Sequence, residues 1–230
     1  MQKKTDNCRH CKIVIDLINN DVSITDALFC LKLLVDDLND NTITEWIESE
    51  LEGYKNNDSV PSYRTKTTPI YGLVQIIGAG NLINREMNIP IKKEYLHILD
   101  IAICDNIAAI EKWASKDNRD KKMPVDLRVA NSAADMNISE MCQIMNAWHP
   151  LPQACFLEIT NAVKNRVINI LLKLEKKYGN LDNYLIDYGN KVEKDNISKE
   201  ITTIIFNDNS TKIGDNNSIT KSVIGDKNEY

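Results

Sequence analysis

The sequence predicts a mainly α-helical protein with a small extended or β insertion and a β-prone, Asn/Gly-rich C-terminal tail. Three features of the chain support this fold class. Apolar residues recur at helical spacing over several long stretches, two prolines interrupt the pattern near residues 61–69, and residues 201–230 combine β-branched side chains with turn formers. The predicted domains are a helical domain over 7–179, a linker or helical spacer over 180–200, and an assembly tail over 201–230.

The composition restricts the class of protein. Apolar residues make up 43% and charged residues 27% of the chain, as in globular proteins that fold without disulfides or metals. The net charge of −5 argues against general coating of nucleic acid. The chain has no apolar run long enough to cross a bilayer, and the segment MQKKTDNC lacks the apolar region of a signal peptide. We therefore expect a cytoplasmic protein with reduced cysteines and no membrane contact.

Three helices are predicted in the first part of the chain. The first spans 7–17. The second begins after an N-cap at Ser23 and carries an apolar ladder at i, i+3 and i+4 spacing, formed by Ala27, Leu28, Leu31, Leu34, Val35 and Leu38. For the third helix, Thr42 and Glu45 have the spacing of a capping box, the helix spans 43–51, and Gly53 ends it.

The middle of the chain is less regular. Its two prolines exclude a long helix, so 63–71 is predicted to be a strand or an extended loop. The apolar run over 73–83 fits a short helix and also fits a strand, and the pattern leaves both interpretations open. Helical spacing returns over 92–115, 123–134 is predicted to be a connector, and 138–148 is predicted to form another helix.

The strongest helical pattern spans 153–178, between a proline-containing turn and Gly179. One stripe of this helix is apolar and consists of Phe156, Val163, Val167, Ile170, Leu171, Leu174 and Tyr178. Burial of these side chains would stabilise the fold by about 10–20 kcal/mol before the entropy of folding is subtracted. We therefore expect the earlier helices to pack against this one.

The tail has the composition of a β structure that needs a partner. The tripeptide Ile-Gly-Asp occurs at Ile213 and again at Ile224, among Asn, Asp and Gly turn formers. A segment this short cannot build its own core, so pairing with copies from other subunits is one solution, and a disordered polar tail is the alternative. The predicted oligomerisation residues are Ile204, Ile205, Phe206, Ile213, Ile219, Val223 and Ile224.

The end of the third helix resembles a known family. The segment EWIESELEGYKNNDSVPSYR is similar to the signature of the AbiTii domain, with matches at Trp46, Glu50, Leu51, Gly53, Tyr54, Tyr63 and Arg64. The resemblance continues in order through the IPI segment at 89–91, the helix ending in AAIEKW, the AWHPLP turn and AVKNRVINILLKLE. It covers about residues 10 to 178, and the Asn/Gly-rich tail is also seen in some relatives.

The resemblance implies a role in bacterial abortive infection, which is a defence against phage. It brings no agreed catalytic residues, so it implies a role and not a mechanism. The family motif makes Trp46, Glu50, Tyr54, Tyr63 and Arg64 candidate binding residues. The alternative is that the aromatic residues anchor the helix to the core and that Arg64 pairs with a glutamate or with a helix C-terminus.

Other candidate sites have simpler explanations. Cys8 and Cys11 form a C-x-x-C motif, but a structural zinc site needs two more ligands, and the sequence offers no second motif. Gly78 and Gly80 lack the remaining residues of a phosphate-binding loop. His149 lies in a turn between two predicted helices. We therefore predict no metal and no cofactor.

One helix face is rich in cations. Lys164, Arg166, Lys173 and Lys176 lie on the long C-terminal helix and form a candidate basic face for nucleic acid. No aromatic residues are interleaved with them to stack on bases, so a solvated face is favoured over a nucleic-acid interface.

These patterns favour a non-enzymatic defence protein that binds a phage or host component and forms a homo-oligomer through its tail. The alternative is a toxin-like enzyme acting on nucleic acid or nucleotide through Glu50 and Arg64, since acid–base chemistry needs such charged groups. A third option is the regulatory half of a two-gene system.

Overall fold

The computed structural model describes residues 10–55, 60–78, 81–115, 121–136 and 142–206. Its helices are α1 (Lys12–Asn19), α2 (Ile24–Val35), α3 (Asn41–Glu52), α4 (Ile107–Ala114), α5 (Leu127–Ala133), α6 (Gln153–Tyr178) and α7 (Lys191–Phe206). Its strands are β1 (Thr65–Thr67), β2 (Tyr71–Gly78), β3 (Asn81–Asn88), β4 (Asp100–Ala102), β5 (Lys121–Pro124) and β6 (Cys142–Leu151). Helices account for most of the regular structure, which confirms a mainly α fold with a β insertion.

Helix α6 is the central element of the helical core, as predicted. Its buried side chains are Phe156, Ile159, Thr160, Val163, Val167, Ile170, Leu171 and Leu174. Helices α1, α2, α4 and α7 all pack against it. The helix ends at Gly179, whose φ of 86° lies in a region that glycine adopts more easily than other residues. Tyr178 was predicted on the buried stripe and is only partly buried.

The three N-terminal helices are confirmed, but α1 begins at Lys12 and not at residue 7, and the cap of α3 differs. Ser23 caps α2 through a reciprocal capping box with Asp26. Helix α3 is instead capped by Asp40, whose carboxylate accepts hydrogen bonds from the backbone N–H groups of Thr42 and Ile43. The predicted box at Thr42 is therefore wrong, because the helix begins two residues earlier than predicted, at Asn41.

The β insertion is larger than the sequence predicts. Strands β3, β2, β6 and β5 form a four-stranded antiparallel sheet in that order, and β1 pairs with β4 in a separate two-stranded sheet. The sheet covers a second, smaller apolar cluster formed by Ile70, Val74, Ile89, Ala130, Ala134, Ile144 and Ala147. The sequence allowed a short helix or a strand over 73–83, and the described residues of this range lie in strands β2 and β3.

Two predicted helices are wrong. Residues 138–148 were expected to be helical, but Cys142–Leu151 forms strand β6, which pairs with β2 on one side and β5 on the other. Residues 92–115 were expected to form one long helix. They form a 3₁₀ segment (Lys93–Leu99), strand β4 and the short helix α4, which begins where the Asn106 side chain accepts a hydrogen bond from the Ala109 N–H. In both cases partner strands override a local apolar pattern that also fits a helix.

Helix α7 lies across the predicted boundary between the spacer and the tail. The spacer and the start of the tail, Lys191–Phe206, form one helix whose Ile197, Ile201 and Ile205 are buried in the helical core. Of the predicted oligomerisation residues, Ile205 is therefore a core residue, while Phe206 is exposed. Ile213, Ile219, Val223 and Ile224 lie outside the described residues, and so does the rest of the predicted β tail.

None of the helices described within 10–206 combines the length and the apolar character that a transmembrane helix requires.

The central position of α6 generates a stability prediction. Leu171→Ala removes a fully buried side chain and leaves a cavity, so the free energy of unfolding should fall by about 2–5 kcal/mol in urea titration. Leu157→Ala on the same helix is the control, because Leu157 is 43% exposed. Its effect should stay below about 1 kcal/mol. Equal losses in the two variants would contradict a core centred on α6.

Candidate functional site

The five residues of the family motif come together in the structure and form what we call the motif cluster: Trp46, Glu50, Tyr54, Tyr63 and Arg64. Trp46 and Glu50 lie four residues apart on α3 and so share its inner face. Tyr54 follows the glycine that ends α3, and the other two residues lie in the 3₁₀ turn Ser62–Arg64. The motif spacing thus brings two separate segments to one point.

The centre of the motif cluster is an ion pair with no solvent exposure. Arg64 Nη2 donates to Glu50 Oε2 at 2.5 Å, and Arg64 Nε donates to Glu50 Oε1 at 3.1 Å. The side chains of both residues are 0% exposed. Such a two-pronged contact is the strongest geometry available to an arginine and a carboxylate, and it offsets the large cost of removing both charges from water.

Aromatic side chains provide further hydrogen bonds to the Glu50 carboxylate. The hydroxyls of Tyr54 and Tyr63 both donate to Glu50 Oε1, at 2.8 and 2.6 Å, and Trp46 Nε1 donates to the Tyr63 hydroxyl at 2.9 Å. Burial, and next the charge of Glu50, raise the pKa of both tyrosines far above the ordinary range. Both hydroxyls therefore stay protonated and act as hydrogen-bond donors.

The guanidinium of Arg64 also holds the chain that leads into α4. Its Nη1 donates to the carbonyl oxygens of Ile103 at 2.9 Å and Asp105 at 2.7 Å. Burial alone would lower the pKa of Arg64, but the charge and hydrogen bonds of Glu50 outweigh this effect and raise it. Arg64 is thus a permanent cation that ties α3 to the β4–α4 segment.

Gly53 permits this close approach. It has a φ of 97°, and a Cβ at this position would lie 2.9 Å from the carbonyl oxygen of Cys104. The next residue, Tyr54, donates its backbone N–H to the same oxygen at 2.8 Å. The glycine of the motif is therefore explained by contact between two backbone segments.

Family membership follows from a match of the AbiTii family model to residues 12–199, which is most of the chain. The chain belongs to the AbiTii family. No curated protein and no solved structure matches this chain. The resemblance seen in the sequence is therefore confirmed, and the motif cluster lies within the matched residues.

In this AbiTii domain the motif residues contact one another, and four of them are buried while Tyr63 is partly buried. The anchoring interpretation, with Arg64 paired to a glutamate, is confirmed by the ion pair. The other carboxylates near the motif differ: Glu45 and Glu52 are exposed, and Glu48 forms a partly exposed pair with Lys32 at 2.7 Å. Direct binding of a ligand by the motif residues stays a prediction, and it would require the cluster to open.

The predicted basic face is divided among internal contacts. Lys164 donates to Asn20 Oδ1 at 2.6 Å, Lys173 pairs with Glu200 at 2.8 Å, and Lys176 is exposed. Arg166 Nε donates to the Ile205 carbonyl oxygen at 2.8 Å, and its guanidinium lies 4.2 Å from the Tyr63 ring centre. Sequence reasoning placed Arg166 on a surface and missed its link between α7 and the motif cluster, because only the position of α7 reveals it.

The remaining candidates have structural surroundings. His149 is buried, and its Nδ1 lies 2.9 Å from the Thr68 hydroxyl oxygen. Cys11 is buried at the start of α1, and burial raises the pKa of its thiol to about 11, whereas Cys8 lies outside the described residues. Gly78 ends β2, and Gly80 is not described. Across the described ranges, no group of three or more His, Cys, Asp or Glu residues has the arrangement of a metal site.

The ion pair generates a prediction that distinguishes buried from surface charge. Glu50→Gln leaves the buried guanidinium of Arg64 without its counter-charge, so the free energy of unfolding should fall by about 3–5 kcal/mol. Glu48→Gln on the same helix removes a partly exposed pair and should change it by less than about 1 kcal/mol. Urea unfolding followed by circular dichroism measures both. A small loss for Glu50→Gln would show that the pair does not hold the fold.

The buried histidine generates a prediction about pH. Burial lowers the pKa of His149 below its ordinary value of 6.5, so the unfolded chain takes up the proton more readily than the folded chain. Stability should therefore fall as the pH decreases from about 7.5 to about 5.5, and the fall should be smaller in His149→Gln. Thermal melts across this range measure it, with the exposed His97→Gln as the control. Identical slopes in His149→Gln and wild type would contradict the assignment.

Proposed function

We propose that this AbiTii protein is an antiphage defence protein of the abortive-infection type that acts as a non-enzymatic binding module and joins copies of itself through its C-terminal tail. Membership of the AbiTii family suggests abortive infection. The binding mechanism and the assembly are the proposal itself.

One observation supports the non-enzymatic part most directly. The charged residues of the family motif, Glu50 and Arg64, are both 0% exposed, and each is hydrogen-bonded on several sides. A catalytic acid, base or phosphate-binding arginine must contact a substrate. The motif residues are instead committed to holding the domain together, which leaves its surfaces and tail for recognition.

The same observation weakens the toxin-like alternative. That hypothesis rested on Glu50 and Arg64 acting on nucleic acid or nucleotide, and both face the interior. The cationic residues of α6 also argue against a nucleic-acid interface, because Lys164, Arg166 and Lys173 contact groups of the same chain. The proposed partner is therefore a protein from the phage or host. We propose a cytoplasmic location for this encounter.

The position of α7 supports assembly through the tail. This helix packs into the core through Ile197, Ile201 and Ile205, and Arg166 binds the carbonyl oxygen of Ile205 near its end. The tail over 207–230 therefore starts from a fixed point on the domain. Its β-branched residues and repeated Ile-Gly-Asp favour pairing with strands from other copies.

A truncation tests the assembly. The full chain should be oligomeric by gel filtration with light scattering, and a chain ending at Phe206 should be monomeric but equally stable, because it retains all of α7. In bacteria challenged with phage, the full chain should reduce plaque number and the shortened chain should not. A monomeric full chain at all concentrations would remove the assembly step.

The enzyme alternative is tested in the same cells. Glu50→Leu combined with Arg64→Met replaces both charges with apolar groups of similar length and should leave a folded protein that still protects. Circular dichroism checks the fold. Loss of protection by a folded and oligomeric double variant would favour a chemical role for the pair.

A further inference from the structure

The two edges of the four-stranded sheet differ in how they are protected. Strand β5 forms one edge with only four residues, Lys121–Pro124. It contains two lysines and a proline, and the lysine side chains lie over the rings of Trp113 and Trp148. Short strands with lysine and proline are the usual protection against pairing with another chain. The β5 edge is therefore closed to a partner strand.

Strand β3 forms the other edge and is neither short nor interrupted by lysine or proline, although it carries Arg85 and Glu86. It is eight residues long, NLINREMN, and among the described residues it pairs only with β2. Near the hairpin turn, apolar side chains are exposed on both faces of the sheet: Leu82 is 57% and Ile83 is 55% exposed. A long strand with exposed apolar residues at an open edge is a site for addition of a further strand.

The register of the hairpin shows which backbone groups are free. Ile89 donates its N–H to the Ile70 carbonyl oxygen at 2.8 Å, and the β2–β3 pairing continues without a bulge to Gly78↔Asn81. Hydrogen-bonded and non-hydrogen-bonded pairs alternate along an antiparallel ladder. The N–H and C=O groups of Leu82, Asn84 and Glu86 therefore point away from β2, toward the open edge.

We propose that this edge receives residues 219–226 of the C-terminal tail of a neighbouring copy, which add to β3 as a fifth, antiparallel strand. The inference rests on the proposed assembly through the tail and names the surface that the tail occupies. The segment ITKSVIGD has the same length as β3 and contains the β-branched residues that favour strands.

Charge and apolar character select the register. An antiparallel arrangement with Ile224 opposite Ile83 also places Lys221 opposite Glu86. The Glu86 side chain is 63% exposed, and its ion pair within the described part of the chain is a 3.5 Å contact with Lys122, which is itself 54% exposed. Opposite charges that face each other across two strands stabilise the pair, and like charges destabilise it. Exchanging the charges at Glu86 and Lys221 therefore tests this register.

The experiment uses full-length chains at low salt, with mass measured by light scattering over a range of concentrations. Glu86→Lys and Lys221→Glu should each raise the concentration of half-assembly by about two- to fivefold, because like charges then face each other in every contact. A mixture of the two variants should assemble near the wild-type concentration, since every contact between unlike chains pairs a lysine with a glutamate. If the tail instead paired with β3 of its own chain, mixing the two variants would not lower the concentration of half-assembly.

A second pair of variants tests backbone pairing. Asn84→Pro removes an outward N–H from the edge, while the bonds of β3 to β2 come from neighbouring residues. It should raise the concentration of half-assembly by about tenfold or more. Asn84→Ala keeps the N–H and loses only the exposed 3.2 Å contact with Gln75, so it should assemble like the wild type. If Asn84→Pro fails to fold, the charge exchange decides.

The outcomes separate the two proposals. A monomeric wild-type chain would refute the proposed assembly itself. An oligomeric wild type whose assembly is unchanged by Asn84→Pro would retain tail-driven assembly and overturn the β3 edge as its receptor. A third outcome is that Asn84→Pro weakens assembly but the mixture of charge variants does not assemble near the wild-type concentration. The β3 edge would then bind another occupant in place of the tail, such as β3 of a second copy.

Discussion

The pair of Glu50 and Arg64 is the interaction on which the arrangement of the helical domain depends. Two charges without solvent exposure are favourable only when every hydrogen-bonding atom has a partner. Two tyrosine hydroxyls and two backbone carbonyl groups complete the set around the ion pair. The geometry of three chain segments is therefore fixed by one contact, because a shift in any of them would leave a buried charge unsatisfied.

The motif cluster also connects the beginning of the domain to its end. Tyr63 donates to Glu50 on one side and contacts the guanidinium of Arg166 on the other. Arg166 in turn binds the carbonyl oxygen of Ile205, near the end of α7. Two residues, Tyr63 and Arg166, thus connect the ion pair to the end of α7, where the tail begins. A change that opens the motif cluster would loosen the attachment of α7, and with it the origin of the tail.

The sequence predicted the elements whose structure depends on their own pattern and failed for those that depend on a partner. Helices α2, α3 and α6 have long apolar faces and clear caps, and each was predicted within a few residues. Strand β6 and the segment containing β4 have apolar patterns that also fit a helix. Their conformation is decided by hydrogen bonds to β2, β5 and β1, which lie far away in the chain. A helical spacer was one of the two alternatives for 180–200, but the pattern did not decide between them, because the isoleucines of α7 occur among polar residues.

The residues of the candidate site were predicted, but most of their contacts were not. The family resemblance indicated Glu50 and Arg64, and a glutamate partner for Arg64 was one of the expectations. The bonds to Ile103 and Asp105 use backbone carbonyl groups, which exist at every residue and leave no trace in a sequence.

The most direct test of the account is the coupling free energy between Glu50→Leu and Arg64→Met in a double-mutant cycle of unfolding. We predict that the double variant is more stable than either single variant, with a coupling of about 2–3 kcal/mol. Additive effects of the two substitutions would contradict the claim that this buried pair holds the domain together.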